Sequence, residues 1–231
     1  MDGGNGKRRR KTASSTREQI LRVSTDLFGR YGYDRVSIRQ IAAESGANLG
    51  AVTYHFGGKE ELYAQTIEAL TADIERFLGP LLDRLNERTA EAGGDRDALR
   101  EIAGGFIRDW ARQTLDNAEV QARMPILARE LISPTGAFDR IFIGFYLRLN
   151  EGLETLVSAA ADAPVDGVDL KVRVHALSSL MLGFISNEKV FWRFLGWDGY
   201  SPERIETLLP ALSEAFVAAA GLADRAPSAG A

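Results

Sequence analysis

Residues 37–59 read SIRQIAAESGANLGAVTYHFGGK, and this stretch decides the fold. Ser37 is a good helix N-cap, and Gln40 three residues later predicts a reciprocal capping box. Ile38, Ile41 and Ala42 fall on one face at helical spacing. Gly46 predicts the stop, because glycine accepts the left-handed backbone that many helix C-termini require. Asn48 is a second N-cap, and a second helix is expected from Leu49 to Phe56. Two short helices joined by a tight turn outline a helix-turn-helix, whose second helix enters a DNA major groove.

The flanks extend the pattern. TREQILRVSTDLFGRYGYDRVSI predicts a capped amphipathic helix with Ile20, Leu21, Val23, Leu27 and Phe28 inward, ending at Gly29 or Gly32. KEELYAQTIEAL predicts another, with Leu62, Tyr63, Thr66, Ile67 and Leu70 as its buried stripe. The LFGRYGYDRVSIRQIA run, the SGANLGAVTYHF segment and the following KEELY resemble the TetR family of bacterial transcription regulators over residues 14–63. Further on, HALSSLMLGFISNEKVFWRFLGWDGYSPERIETL resembles the C-terminal domain of one TetR subgroup, with an LGW turn before its last helix.

Composition bounds the alternatives. At 231 residues, with 45% hydrophobic and 26% charged residues, the chain can bury one large or two modest cores. No apolar run approaches the ~18 residues of a membrane span, so no membrane partner is expected. MDGGNGKRRRK has no apolar segment behind it and is not expected to be a secretory signal. With no cysteine, disulfides and thiolate metal sites are excluded, and a cytoplasmic location is expected. The net charge of -4 is unevenly divided: residues 1–60 carry eleven Lys or Arg against six Asp or Glu, and residues 61–231 carry seventeen against twenty-six. Positive charge therefore collects where DNA would lie, beside an acidic body.

The expected organisation is all-α. Residues 1–13 read as a disordered basic arm, 14–60 as a three-helix DNA-binding domain, 61–221 as a helical core, and 222–231 as a loose tail. Helix four is expected from Lys59 toward Leu78, with Pro80 marking a kink or break. Later helices are expected near 97–116, 119–131, 137–161, 169–195 and 202–220, punctuated by turn signals at 133–136, 163–167 and 196–202. In the TetR family the last two long helices form a four-helix dimer interface, which implies a homodimer through 169–195 and 202–220.

A recognition helix offers its N-terminal turns to base edges, here Asn48, Leu49, Gly50, Ala51, Thr53, Tyr54 and His55, while Val52 and Phe56 face inward. Gly50 either lets backbone approach DNA or serves the turn; Leu49 and Ala51 can touch thymine methyls; Thr53 can hydrogen-bond, where the family often carries tyrosine. Arg39 sits near the groove edge, and DNA shape supplies further specificity. The resemblance implies backbone contacts from Tyr54, His55 and Lys59, and Ser37 can donate to the other side.

The TetR resemblance also implies a small-molecule effector in the core domain, double-stranded DNA with a palindromic operator as partner, and no cofactor. Candidate lining residues are Phe106, Trp110, Met124, Phe142, Tyr146, Phe184, Asn187, Glu188 and Phe191, which mix aromatic surface with a few polar groups; the competing assignment for most is plain core. Glu188 lies inside an apolar stretch and needs a ligand, a pairing with Lys189 or Arg193, or a dimer seam. Two histidines, no cysteine, no phosphate-cradling loop and no HExxH motif leave no catalytic or metal site. The expected function is a ligand-released repressor, against an activator or a DNA-binding architectural protein without an effector.

Overall fold

The computed structural model describes residues 4–161 and 167–223. They form eleven α-helices and one π-helical stretch, with no strand among the described residues. In order these are α1 (Gly4–Tyr31), α2 (Ile38–Ser45), α3 (Leu49–Phe56), α4 (Lys59–Ala92), α5 (Arg96–Leu115), α6 (Ala118–Ile132), α7 (Phe138–Ile141), the π-helical Phe142–Tyr146, α8 (Leu147–Ala160), α9 (Gly167–Ser186), α10 (Glu188–Leu195) and α11 (Pro202–Ala219). The all-α expectation is met. The chain divides into two compact units: one holds residues up to Asp73 with Ala122–Gly144, the other Ile74–Gln121 with the chain from Phe145 onward.

In the first unit, α1, α2 and α3 close around Ile20, Leu27, Phe28, Ile41, Val52 and Phe56, all buried. Leu62, Tyr63, Thr66, Ile67 and Leu70 supply the buried face of α4, as their spacing predicts. Leu21 and Val23 are only half-buried, and Ser24 takes the inward place instead. Of the two predicted stops for α1, the chain uses Gly32, whose φ of 81° lies in the left-handed region, while Gly29 stays helical. α1 begins at Gly4, and the Lys and Arg run near its start is made of strong helix formers without proline. Residues 1–3, the predicted turn signal over 163–166 and most of the predicted tail, 224–231, lie outside the described residues.

The helix bounds differ from expectation in two places. α4 continues through Pro80 to Ala92, because Leu78, Leu81, Leu82 and Leu85 keep one buried stripe on both sides of the proline. That burial outweighs the single backbone bond that proline removes. The segment 169–195 is two helices rather than one, broken at Asn187, where φ and ψ are -113° and 23°.

In the second unit α5 packs on α11, and α8 on α9. Phe106 lies between Trp110 and Phe216, with ring centroids 5.7 and 6.0 Å away. Leu149, Leu153 and Leu156 bury the inner face of α8, and Leu177 and Met181 that of α9. Arg96 bonds the Ala160 carbonyl at 2.8 Å and the Gly221 carbonyl at 2.7 Å, so one guanidinium joins the ends of α8 and α11.

Candidate nucleic-acid interface

The helix-turn-helix is built by local chemistry. Ser37 Oγ accepts the Gln40 amide hydrogen bond at 3.1 Å and caps α2. The predicted capping box is only half made, because the Gln40 side chain donates to Glu44 at 3.2 Å instead of reaching back. Gly46, with φ 68°, ends α2, and Asn48 Oδ1 accepts from the Ala51 amide at 2.7 Å to start α3. Val52 and Phe56 anchor α3 inward. Its outer face carries Leu49, Gly50, Thr53 and Tyr54, with Tyr54 85% exposed.

Each predicted contact residue can now be placed. Ser37, Arg39, Asn48, Leu49, Gly50, Thr53 and Tyr54 are exposed, and Ala51 and His55 half-buried. A Cβ at Gly50 would lie 3.3 Å from Asn48 Oδ1, so glycine keeps the cap uncrowded as well as leaving the backbone bare. The Thr53 hydroxyl donates to the Leu49 carbonyl at 3.2 Å, which leaves its oxygen lone pairs outward. The His55 ring meets Tyr54 edge-on at 5.3 Å. Lys59 is half-buried: its ammonium lies 4.3 Å from the Tyr33 ring centroid and donates to the Asp34 carbonyl at 3.4 Å. Burial first, then the charges of Glu60 and Asp34, hold the Tyr33 hydroxyl above its ordinary pKa.

Spacing alone did not single out two supports. Arg17 stacks its guanidinium 5.4 Å over Phe56 and donates to Gln65 at 2.7 Å, fixing the end of α3 to α1 and α4. Glu130 is only 1% exposed and accepts from the Tyr63 hydroxyl at 2.8 Å and from Thr135. A signal for Glu130 did exist: it follows buried Ile126 and Leu127 by four and three residues, on the same face of α6. Burial, then the hydrogen bond to Glu130, raises the Tyr63 pKa strongly.

The nine effector candidates fall into separate groups. Phe106 and Trp110 are buried core of the second unit, and Tyr146, also there, is half-buried. Met124 and Phe142 belong to the first unit. Phe184, Asn187 and Phe191 line an open apolar hollow of about 380 Å³ with Leu180, Gly183, Val190 and Phe194. Glu188 flanks it, its carboxyl raised above the ordinary range by burial and partly offset by Lys189. Tyr200 donates to the Phe184 carbonyl at 2.8 Å; burial and then the charge of Glu188 push its pKa up to about 12. Among the described residues, no helix is long and apolar enough to cross a membrane.

Comparison with known proteins agrees with this geometry. Residues 20–66 match the family described as bacterial regulatory proteins, tetR family, and residues 99–221 match the C-terminal domain of the HTH-type transcriptional dual regulator CecR. The CecR protein of Shigella flexneri is 26% identical over 192 residues, covering 83% of this chain and 85% of its own. The transcriptional repressor Rv3405c of Mycobacterium tuberculosis is 40% identical over 168 residues, covering 68% and 83%. Among solved structures, NalD of Pseudomonas aeruginosa, the secondary repressor of the MexAB-OprM multidrug efflux pump, superposes with a TM-score of 0.58 at 21% identity, covering 90% and 97%. The SmeT–triclosan complex superposes with 0.55 at 21%, covering 87% and 90%.

Proposed function

The chain belongs to the TetR family of bacterial DNA-binding transcription regulators, and from that premise we propose a homodimer that represses from a palindromic operator until a small-molecule effector releases it. The observation that carries this proposal is α3: capped by Asn48, pinned inward by Val52 and Phe56, and presenting Leu49, Gly50, Thr53 and Tyr54 outward from the basic part of the chain.

In this proposal α3 enters one major groove per half-site. Leu49 and Ala51 meet thymine methyls, and Thr53 accepts or donates at a base edge. Arg39 stands at the groove edge. Tyr54, His55, Lys59 and Ser37 bind phosphates, which set register without reading sequence. With no Arg, Lys or Gln on the outer turns of α3, bidentate base pairing is scarce and DNA shape carries much of the choice.

Two copies meet through residues 169–195 and 202–220. Support comes from an apolar stripe that water should not cover in the working protein: Val172, Val190 at 70% exposure, and Phe194 at 85%, beside the open hollow on α9 and α10. A symmetric dimer reads an inverted repeat. Effector release then requires a ligand that binds the DNA-incompetent arrangement more tightly than the competent one. SmeT, which shares the fold, has been solved with triclosan, which supports a small apolar ligand class here. The match to a dual regulator supports activation as a second outcome at suitably placed operators. The protein acts where the chromosome lies, in the cytoplasm.

Sedimentation of the protein with a cognate duplex tests the assembly. Two protomers per full palindrome, and much weaker binding to a single half-site, are expected. Equal affinity for full and half sites would overturn the dimeric reading head.

A further inference from the structure

We propose that Tyr63 and Glu130 are positioning residues for DNA binding, holding Lys59 at the end of a chain of contacts that begins in the Ser133–Gly136 turn. The proposal rests on the reading that Lys59 meets a DNA phosphate.

Every link lies within the first compact unit. Glu130 Oε1 accepts from the Thr135 amide at 2.6 Å and the Thr135 hydroxyl at 2.7 Å, while Oε2 accepts from the Tyr63 hydroxyl at 2.8 Å. A carboxylate this buried is tolerable only when hydrogen-bonded, so both of its oxygens are committed and its orientation is fixed. The Tyr63 ring lies 4.9 Å from the Tyr33 ring and meets Phe28 edge-on at the same centroid distance. The Tyr33 ring carries the Lys59 ammonium at 4.3 Å. The order is thus Thr135, Glu130, Tyr63, Tyr33, Lys59.

A neighbouring contact braces the turn that bears Tyr33. Arg129 donates to the Arg30 carbonyl at 3.3 Å, and a Cβ on Gly32 would come 3.2 Å from its guanidinium. Consecutive residues of α6 therefore hold both the turn bearing Tyr33 and the α4 residue beneath it. On its other side the chain of contacts borders a cavity of about 590 Å³ walled by Tyr33, Tyr63, Thr135 and Ala137. The Tyr63 ring is buried against Phe28 and Tyr33, and its hydroxyl end, beside the cavity, is held by the Glu130 hydrogen bond. Losing it lets Tyr33 settle and moves the ammonium away from its phosphate.

The test is a double-mutant cycle on the full chain, read by fluorescence anisotropy on a cognate duplex at several salt concentrations. Lys59→Ala should lower the salt slope by about one unit, as expected for one lost phosphate contact. Tyr63→Phe should weaken binding about 3- to 10-fold, the range that a misplaced cation–π contact and a weakened phosphate contact supply. In the Lys59→Ala background, Tyr63→Phe should cost nothing further. Glu130→Leu, of similar volume and with no group to bond the Tyr63 hydroxyl, runs the same cycle if Tyr63→Phe does not fold. Additive losses in the double variant, or no loss in either single support variant, would overturn the proposal while leaving the phosphate contact standing. An unchanged salt slope in Lys59→Ala alone would instead remove the phosphate contact itself, and the proposal with it.

Discussion

Asn48 separates the folding role of α3 from its proposed reading role. The helix has eight residues, a length that is marginal without tertiary support. Its start depends on the Asn48 side chain, which accepts from the Ala51 amide at 2.7 Å. Replacing Asn48 by Ala removes that acceptor, at a cost of about 1 kcal/mol within a range of roughly 0.5–2. For a chain of this size that shifts Tm by roughly 2–4 °C, and if the whole cost falls on α3 it changes the local folding equilibrium by about fivefold. Asn48→Ser keeps an acceptor and should behave as the parent. Asn48→Asp keeps the cap and adds a negative charge at the positive end of the helix dipole, worth about 0.3–1 kcal/mol. On the proposed interface the same charge would face DNA phosphates and should weaken operator binding far more than Asn48→Ala does. Thermal unfolding by circular dichroism and anisotropy on DNA would therefore rank the variants in different orders. An Asn48→Ala protein with the parent Tm, or an Asn48→Asp protein with parent affinity, would refute the reasoning.

Two further outcomes are expected. Phe194→Glu places a charge where the dimer should bury an aromatic ring, losing about 2–4 kcal/mol per protomer. Sedimentation should show the dimer dissociation constant rising at least ~100-fold, and an unchanged weight-average mass at micromolar concentration would contradict the interface. Glu188 gives a pH test: its folded pKa is raised by burial, so its contribution is favourable below the ordinary carboxylate range and is lost as pH rises through the raised value. Glu188→Gln should then be more stable than the parent at neutral pH, with the difference closing toward about pH 4. A difference independent of pH across that span would contradict it.

The reading head was legible because its instructions are local. Ser37, Gly46 and Asn48 act within four residues, and the stripe from Leu62 to Leu70 repeats at helical period. The misses are tertiary. Pro80 is carried inside α4 by leucines on both sides, and no proline or glycine announces the break at Asn187. Gln40 had two partners in reach and took Glu44. Phe106 and Trp110 have the spacing of a pocket wall and of a core alike; their burial, with Phe106 set between Trp110 and Phe216, assigns them to the core. Lys59 was legible as a terminal cation, but its seat on Tyr33 depends on a turn that no periodicity describes.

The most direct test of the central claim is selection from a random duplex library with the purified protein, run beside Tyr54→Ala. The account predicts an enriched inverted repeat that the parent recovers and the variant does not. Binding that follows salt alone, with no sequence enriched by the parent, would contradict it.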